Sequence, residues 1–164
     1  MNWRYFSLEQ VNSQQGPEWK LWEQPEDYVS RGGNAFRAAE AARRQGEAAF
    51  EAFHMALLRA RHEDRRDIAD TRTLAEVAES VGLDPERFRR DLADDRTLSG
   101  LARDHTYATE TLKVFGTPTL VFAGRQAVFL KMAPPPSPDE SAAVFAEVRQ
   151  IAEGRQSIRE IKRP

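Results

Sequence analysis

Gly116-Thr117-Pro118-Thr119-Leu120-Val121-Phe122 is the stretch on which the reading of this chain turns. Upstream of it, from Gly33, apolar residues recur at helical spacing, whereas downstream they alternate, so the period drops from about 3.6 residues to 2. Thr119 to Phe122 reads as a strand, Ala123, Gly124 and Arg125 as a tight turn, and Gln126 to Leu130 as a second strand. Together they make an antiparallel β-hairpin. Pro118 fits the start of a strand, because a residue without an N–H is tolerated there and not in mid-sheet.

Beyond the hairpin, the run Ala133, Pro134, Pro135, Pro136, Ser137, Pro138 cannot be helix or central strand. With Ser137 or Asp139 near its cap, it launches a final helix in which Val144, Phe145, Val148 and Ile151 face inward. Gly154 ends that helix, and Ser157 to Pro164 is a charged tail. In the other direction the block from Gly33 to Phe115 is helical. It opens with an Ala-rich helix over Asn34 to Gln45, with Asn34 as its N-cap, and Gly46 breaks it. The next helix carries Phe50, Phe53, Leu57 and Ala60 on one stripe, then a solvated charged run from Arg61 to Asp67.

Thr73 and Glu76 have the spacing of a capping box, and Gly82 serves as the stop of that helix. Asp84, Pro85 and Glu86 supply an N-cap, a first-turn proline and a first-turn acid for a helix to about Ala93. A last helix of the block, from Asp95 to Val114, aligns Leu98, Leu101, Ala102, His105, Ala108 and Leu112. At the beginning of the chain, Met1 to Leu8 alternates, with Trp3, Tyr5 and Ser7 on one face, which predicts a short strand. Val11 to Val29 is polar, with Gly16, Pro17 and Pro25, and reads as an ordered loop anchored by Trp19, Leu21 and Trp22.

Composition bounds the function. The 164 residues are 40% hydrophobic and 30% charged, which belongs to a folded globular chain. With 24 Lys and Arg against 26 Asp and Glu, interspersed to a net charge of −2, there is no basic field for nucleic acid or an anionic membrane. No apolar run has signal-peptide or membrane-spanning length, so the expectation is a cytoplasmic protein with neither nucleic-acid nor membrane partners. No residue is cysteine. These residues therefore offer no disulfide, thiolate nucleophile or cysteine-ligated metal.

The order of strand, large helical block, Gly116-Thr117-Pro118-Thr119 step, hairpin and closing helix resembles the DsbA-like branch of the thioredoxin folds. That family includes disulfide oxidoreductases, FrnE-like proteins and chromene-carboxylate isomerases. The resemblance is strongest at Gly116 to Phe122, where the family has a Thr-Pro or Val-Pro step with a cis peptide bond before a strand. Asn2 to Leu8 is similar to its second strand, and Glu160 to Pro164 to its ending. The implied fold is α/β: one thioredoxin-like domain over 1–164, with 33–115 as an inserted helical subdomain and 1–10 plus 116–153 as the remaining thioredoxin elements.

The implied substrate-binding residues are Gly116, Thr117 and Pro118: a proline that cannot donate leaves the Thr117 backbone available to an extended peptide or to a low-molecular-weight thiol such as glutathione or mycothiol. The implied partner is thus a peptide or small-molecule thiol or disulfide substrate. The family's first strand and its helix with a Cys-Pro-x-x-Cys type motif do not occur here. Three readings of that difference stand open. The gene starts upstream, with Met1 written for a GTG codon; or a cysteine-free short form dimerises or swaps to complete its sheet; or the chain is a helical bundle with an attached hairpin. The first corresponds to a thiol-disulfide oxidoreductase-like protein and the second to a non-catalytic peptide-binding or dimerisation module; separately, the same resemblance also implies a thiol-dependent transferase or isomerase of the kappa-class glutathione transferase type, which too would need the absent first helix.

Other residues carry less. His54, His62 and His105 have no metal-ligand spacing and read as structural or solvent-facing. Neighbouring acids such as Asp94 with Asp95, or Glu63 with Asp64, point about 100° apart on a helix and cannot converge on one atom. Gly32, Gly33 and Asn34 are explained by a helix start without a phosphate. Trp3, Trp19 and Trp22 read as packing under the helical block.

Overall fold

A computed structural model of the protein describes residues 1–25, 28–30, 32–123 and 126–161, with the side chain of Asp95 left aside. Gly124 and Arg125 of the expected turn, and the expected ending from Lys162, lie outside the described residues. The chain divides into two compact units, Met1–Thr106 and Tyr107–Pro164.

The first unit is helical. Its elements are α1 (Leu8–Val11), α2 (Gly33–Arg43), α3 (Glu47–His62), α4 (Thr71–Ser80), α5 (Pro85–Leu92) and α6 (Leu98–Thr106), with short 3-10 turns at Leu21–Glu23 and Asp95–Thr97. α2 lies at the centre and packs against α3, α4, α5 and α6. It can do so because the side chains it turns toward its neighbours are methyl groups: Ala38, Ala41 and Ala42 are fully buried. α3 delivers Phe50, Phe53, Leu57 and Ala60 to the core, the stripe expected from the sequence. Phe53 meets Phe88 of α5 with ring centroids 5.6 Å apart.

Local chemistry sets most of the helix ends. Gly46, at φ 126°, separates α2 from α3 in a conformation a side chain would resist. α4 closes with a Schellman motif: Leu83 N donates to Ala78 O and Gly82 N to Glu79 O, with Gly82 at φ 76° and Leu83 buried beside Ala78. Asp84 accepts from Glu86 N and Arg87 N, and Pro85 occupies the first helical position.

Three local expectations are corrected. α4 is capped by Asp70, which accepts from Arg72 N, while Thr73 is buried within the helix and Glu76 pairs with Arg66 and Arg72. Asn34 does not cap α2, because its amide donates to Ala69 O; the hydroxyl of Ser30 accepts from Gly32 N and Gly33 N instead. The helix expected to run to Val114 leaves α geometry after Thr106 for one π turn at Tyr107–Thr111, and Lys113 at φ 57° ends the run.

The largest correction concerns Met1 to Leu8. It is not a paired strand, because no neighbouring strand lies beside it among the described residues. Its backbone groups are met by side chains instead. Tyr5 N donates to Asp104 Oδ2 at 3.3 Å and Ser7 N to His105 Nδ1 at 3.1 Å, both buried. The alternation survives as burial, with Tyr5 and Ser7 inside and Arg4 outside, and Ser7 then caps α1 by accepting from Gln10 N. Leu21 is buried, and Trp3, Trp19 and Trp22 pack partly buried against the core, as the sequence suggested.

The second unit holds β1 (Thr119–Phe122), β2 (Gln126–Phe129) and α7 (Pro138–Gly154). The strands pair antiparallel with Thr119 opposite Phe129 and Phe122 opposite Gln126. α7 begins at Ser137, whose N–H and hydroxyl both donate to Glu140 Oε2. Its stripe is not fully inward. Val144, Val148 and Ile151 are half-buried, but Phe145 is 44% exposed, because two short strands are too narrow to cover the helix. Among the described residues no helix is long and apolar enough to cross a membrane.

Ala41→Leu should destabilise the helical unit by about 1–3 kcal/mol in denaturant titration, since there is no room for three added carbons. Burial, and secondarily Lys20, lowers the His105 pKa; burial, and secondarily Arg43, lowers that of His54, whose ring meets Trp3 at 4.4 Å. The detached state therefore binds protons more readily than the docked one. Docking of the Trp3 to Ser7 segment should be complete above the ordinary imidazole value of about 6.5 and weaken as pH falls below it. Tryptophan emission and Ser7 amide exchange across pH 7.5 to 5 would report this, and His105→Phe, which removes the acceptor, should cost about 1–3 kcal/mol at neutral pH.

Candidate functional site

The second unit brings Gly116, Thr117 and Pro118 to the start of β1. Gly116 is buried, whereas Thr117 and Pro118 are exposed, and the Thr117–Pro118 peptide bond is cis. The step is pinned on both sides. Thr119 Oγ1 donates to Gly116 O at 2.7 Å, and Leu130 N donates to Pro118 O at 3.0 Å.

That last bond fixes which backbone groups face outward. In an antiparallel ladder, opposed residues alternate between pairs that exchange hydrogen bonds and pairs that do not. Pro118 with Leu130 is a bonded pair, so in the observed register Leu120 with Val128 and Phe122 with Gln126 are bonded too. Thr119 and Val121 fall between them, and their N–H and C=O groups point away from β2. No further strand meets that edge among the described residues.

Beside this edge, the sheet and α7 enclose an open cleft of about 350 Å³. Its walls are Pro118 and Leu120 from β1, Leu130 and Met132 after β2, Pro135 and Pro136 of the proline run, and Val144, Phe145 and Val148 of α7. Ser141 is the one polar side chain in that lining. The volume falls in the range of small-ligand or side-chain pockets, which are mostly apolar with few polar groups. The proline run contributes a second cis bond, Ala133–Pro134. On the opposite sheet face Val121 and Phe129 are 50% and 40% exposed, and Phe115, 69% exposed, meets Phe129 at 5.1 Å.

Among the described residues no acid, base or thiol lines the cleft, and the sequence has no cysteine. The arrangement can align an extended backbone and accept an apolar group, with the Ser141 hydroxyl as the polar side chain in the lining. Sequence reading located the three loop residues. It missed the cleft walls, because Val144, Phe145 and Val148 carry the same helical spacing whether they seal a core or line a groove. The remaining candidates are structural. His105 accepts from Ser7 N, His54 stacks on Phe50 in the first unit, and His62 is exposed at the end of α3. The Gly32 and Gly33 amides are taken by Ser30. No group of three or more His, Asp or Glu that could hold a metal occurs among the described residues.

Comparison with known proteins agrees with this layout. The model of the DSBA-like thioredoxin domain matches residues 20–136, a span that contains the helices α2 to α6, the Thr117–Pro118 step, the hairpin and most of the proline run. No curated protein matches. A mostly helical chain with a small sheet that opens at a cis-proline step, matched over well over half its length, belongs to the DSBA-like thioredoxin domain family.

Proposed function

We propose that this chain provides the substrate-docking part of a thiol-disulfide oxidoreductase-like protein, binding an extended peptide along β1 beside Pro118. The observation that carries the reading is the outward-facing backbone of Thr119 and Val121 next to an apolar cleft that begins at Pro118. An added strand gains affinity from backbone hydrogen bonds and selectivity from pockets for alternate side chains. The cleft suits one apolar side chain of such a peptide.

Thiol exchange needs a thiolate that attacks or is attacked, and none of these 164 residues supplies one. The reading is therefore one of docking, with the sulfur chemistry belonging to the substrate and to a thiol outside these residues, whether a protein cysteine or a low-molecular-weight thiol such as glutathione or mycothiol. A non-catalytic peptide-binding or dimerisation module is the second reading, favoured by the exposed Phe115, Val121 and Phe129 on the other sheet face.

The test uses the chain as it stands with an S-alkylated, unstructured peptide that has an apolar residue beside the modified cysteine. Amide resonances of Thr117, Thr119 and Val121 should shift on titration, and insulin reduction should stay at the uncatalysed rate. Shifts confined to the first unit would sink the docking site, and measurable disulfide reduction would sink the assignment of the thiol to another source. Gly116 provides a second handle. A Cβ there would lie 3.2 Å from the Phe129 ring, so Gly116→Val should displace the loop and weaken peptide binding while the helical unit keeps its circular dichroism.

A further inference from the structure

Alternation along the hairpin gives the β1 edge two sides. Pro118 and Leu120, with Leu130 and Met132 after β2, line the cleft, so these positions turn toward α7. The residues between them turn the other way. Val121 and Phe129 are 50% and 40% exposed on that second side, and Phe115, 69% exposed, lies against Phe129. A strand added to the edge inherits the alternation, because residues directly opposite one another share a face of the sheet. A ligand residue opposite Leu120 enters the cleft, while its two neighbours, opposite Thr119 and Val121, fall on the side of Val121 and Phe129.

Charge adds a second constraint. Between Thr111 and Pro138 the sequence carries Lys113, Arg125 and Lys131 and no acidic residue. Lys131 is exposed, and because the cleft takes its neighbours Leu130 and Met132, it belongs to the second side. The register that places Leu130 opposite Pro118 puts Lys131 opposite Thr117. No ion pair among the described residues uses it. The Pro118 end of the edge therefore presents a cation with no acid of its own beside it in the sequence.

We propose, resting on the docking reading above, that the peptide this edge selects is apolar at three consecutive residues, followed by one residue of any kind and then a carboxylate. The antiparallel sense is the more stable per residue and lets Thr119 and Val121 each exchange both backbone groups with the ligand. In that sense the middle apolar residue fills the cleft, and its neighbours cover Thr119 and Val121. The carboxylate then falls opposite Thr117, on the side of Lys131. An amphipathic strand would satisfy the cleft and set polar groups against Val121. Continuous apolar runs are the mark of strands buried on both faces of a folded protein. The ligand class is therefore an interior segment of a partner that is not yet folded, or has unfolded, with an acid at its C-terminal end.

Amide titrations of the full chain with the blocked peptide Ser-Val-Leu-Val-Ser-Glu-Ser test this. Asparagine in place of both valines should weaken binding about fivefold, on the scale of a cross-strand pair. Lysine in place of the glutamate should also weaken it, and Lys131→Glu should reverse that preference. Equal affinity of the valine and asparagine peptides, with Thr119 and Val121 amides still shifting, would overturn the apolar run and leave the docking reading intact. A glutamate preference unchanged in Lys131→Glu would overturn the carboxylate. No shift at Thr119 or Val121 with the parent peptide would sink the docking reading itself, and this inference with it. Concentration-dependent shifts at Val121 and Phe129 without peptide would assign the second side to another copy of the chain and overturn the proposal.

Discussion

Backbone groups without a strand partner are the constraint on which this structure depends. An extended segment and a two-stranded hairpin both expose N–H and C=O groups that a larger sheet would absorb. The two units meet that demand differently. In the first, Tyr5 N and Ser7 N end on the side chains of Asp104 and His105, so for these two amides α6 does the work of a neighbouring strand. In the second, Thr119 and Val121 turn their outward groups to an edge that no further strand meets among the described residues.

That difference sets the two units apart. The first unit closes on itself. Its central helix is lined with alanine, its helix ends are capped by Ser30, Asp70 and Asp84, and His54 and His105 meet the N-terminal segment. The second unit remains open at both a polar edge and an apolar cleft, with Phe145 half out of its contact. In the proposed reading, a bound peptide would meet the open edge and the apolar cleft at once.

What the sequence revealed follows the range of the interactions involved. The α3 stripe, the Gly82 stop, the Asp84 and Pro85 start and the β1 span were legible because residues a few positions apart determine them. The choice between Asp70 and Thr73 as a cap was not, since it turns on Thr73 lying on the buried face. Asn34 was misread for a similar reason: its amide is drawn to Ala69, thirty-five residues away. The N-terminal alternation was seen correctly as one buried face and wrongly as a strand, because pairing depends on partners that a local pattern does not reveal. At the site, the Gly116, Thr117 and Pro118 loop was found from its motif, whereas the cleft required knowing that α7 stands over only two strands.

The central claim is that the β1 edge is unpaired in the isolated chain and ready to take a strand. Residue-resolved amide hydrogen exchange of that chain tests it most directly. The account predicts protected amides at Leu120 and Phe122, which bond to β2, and fast exchange at Thr119 and Val121. Strong protection at Thr119 and Val121 without any added peptide would mean that the edge is already occupied, and would contradict it.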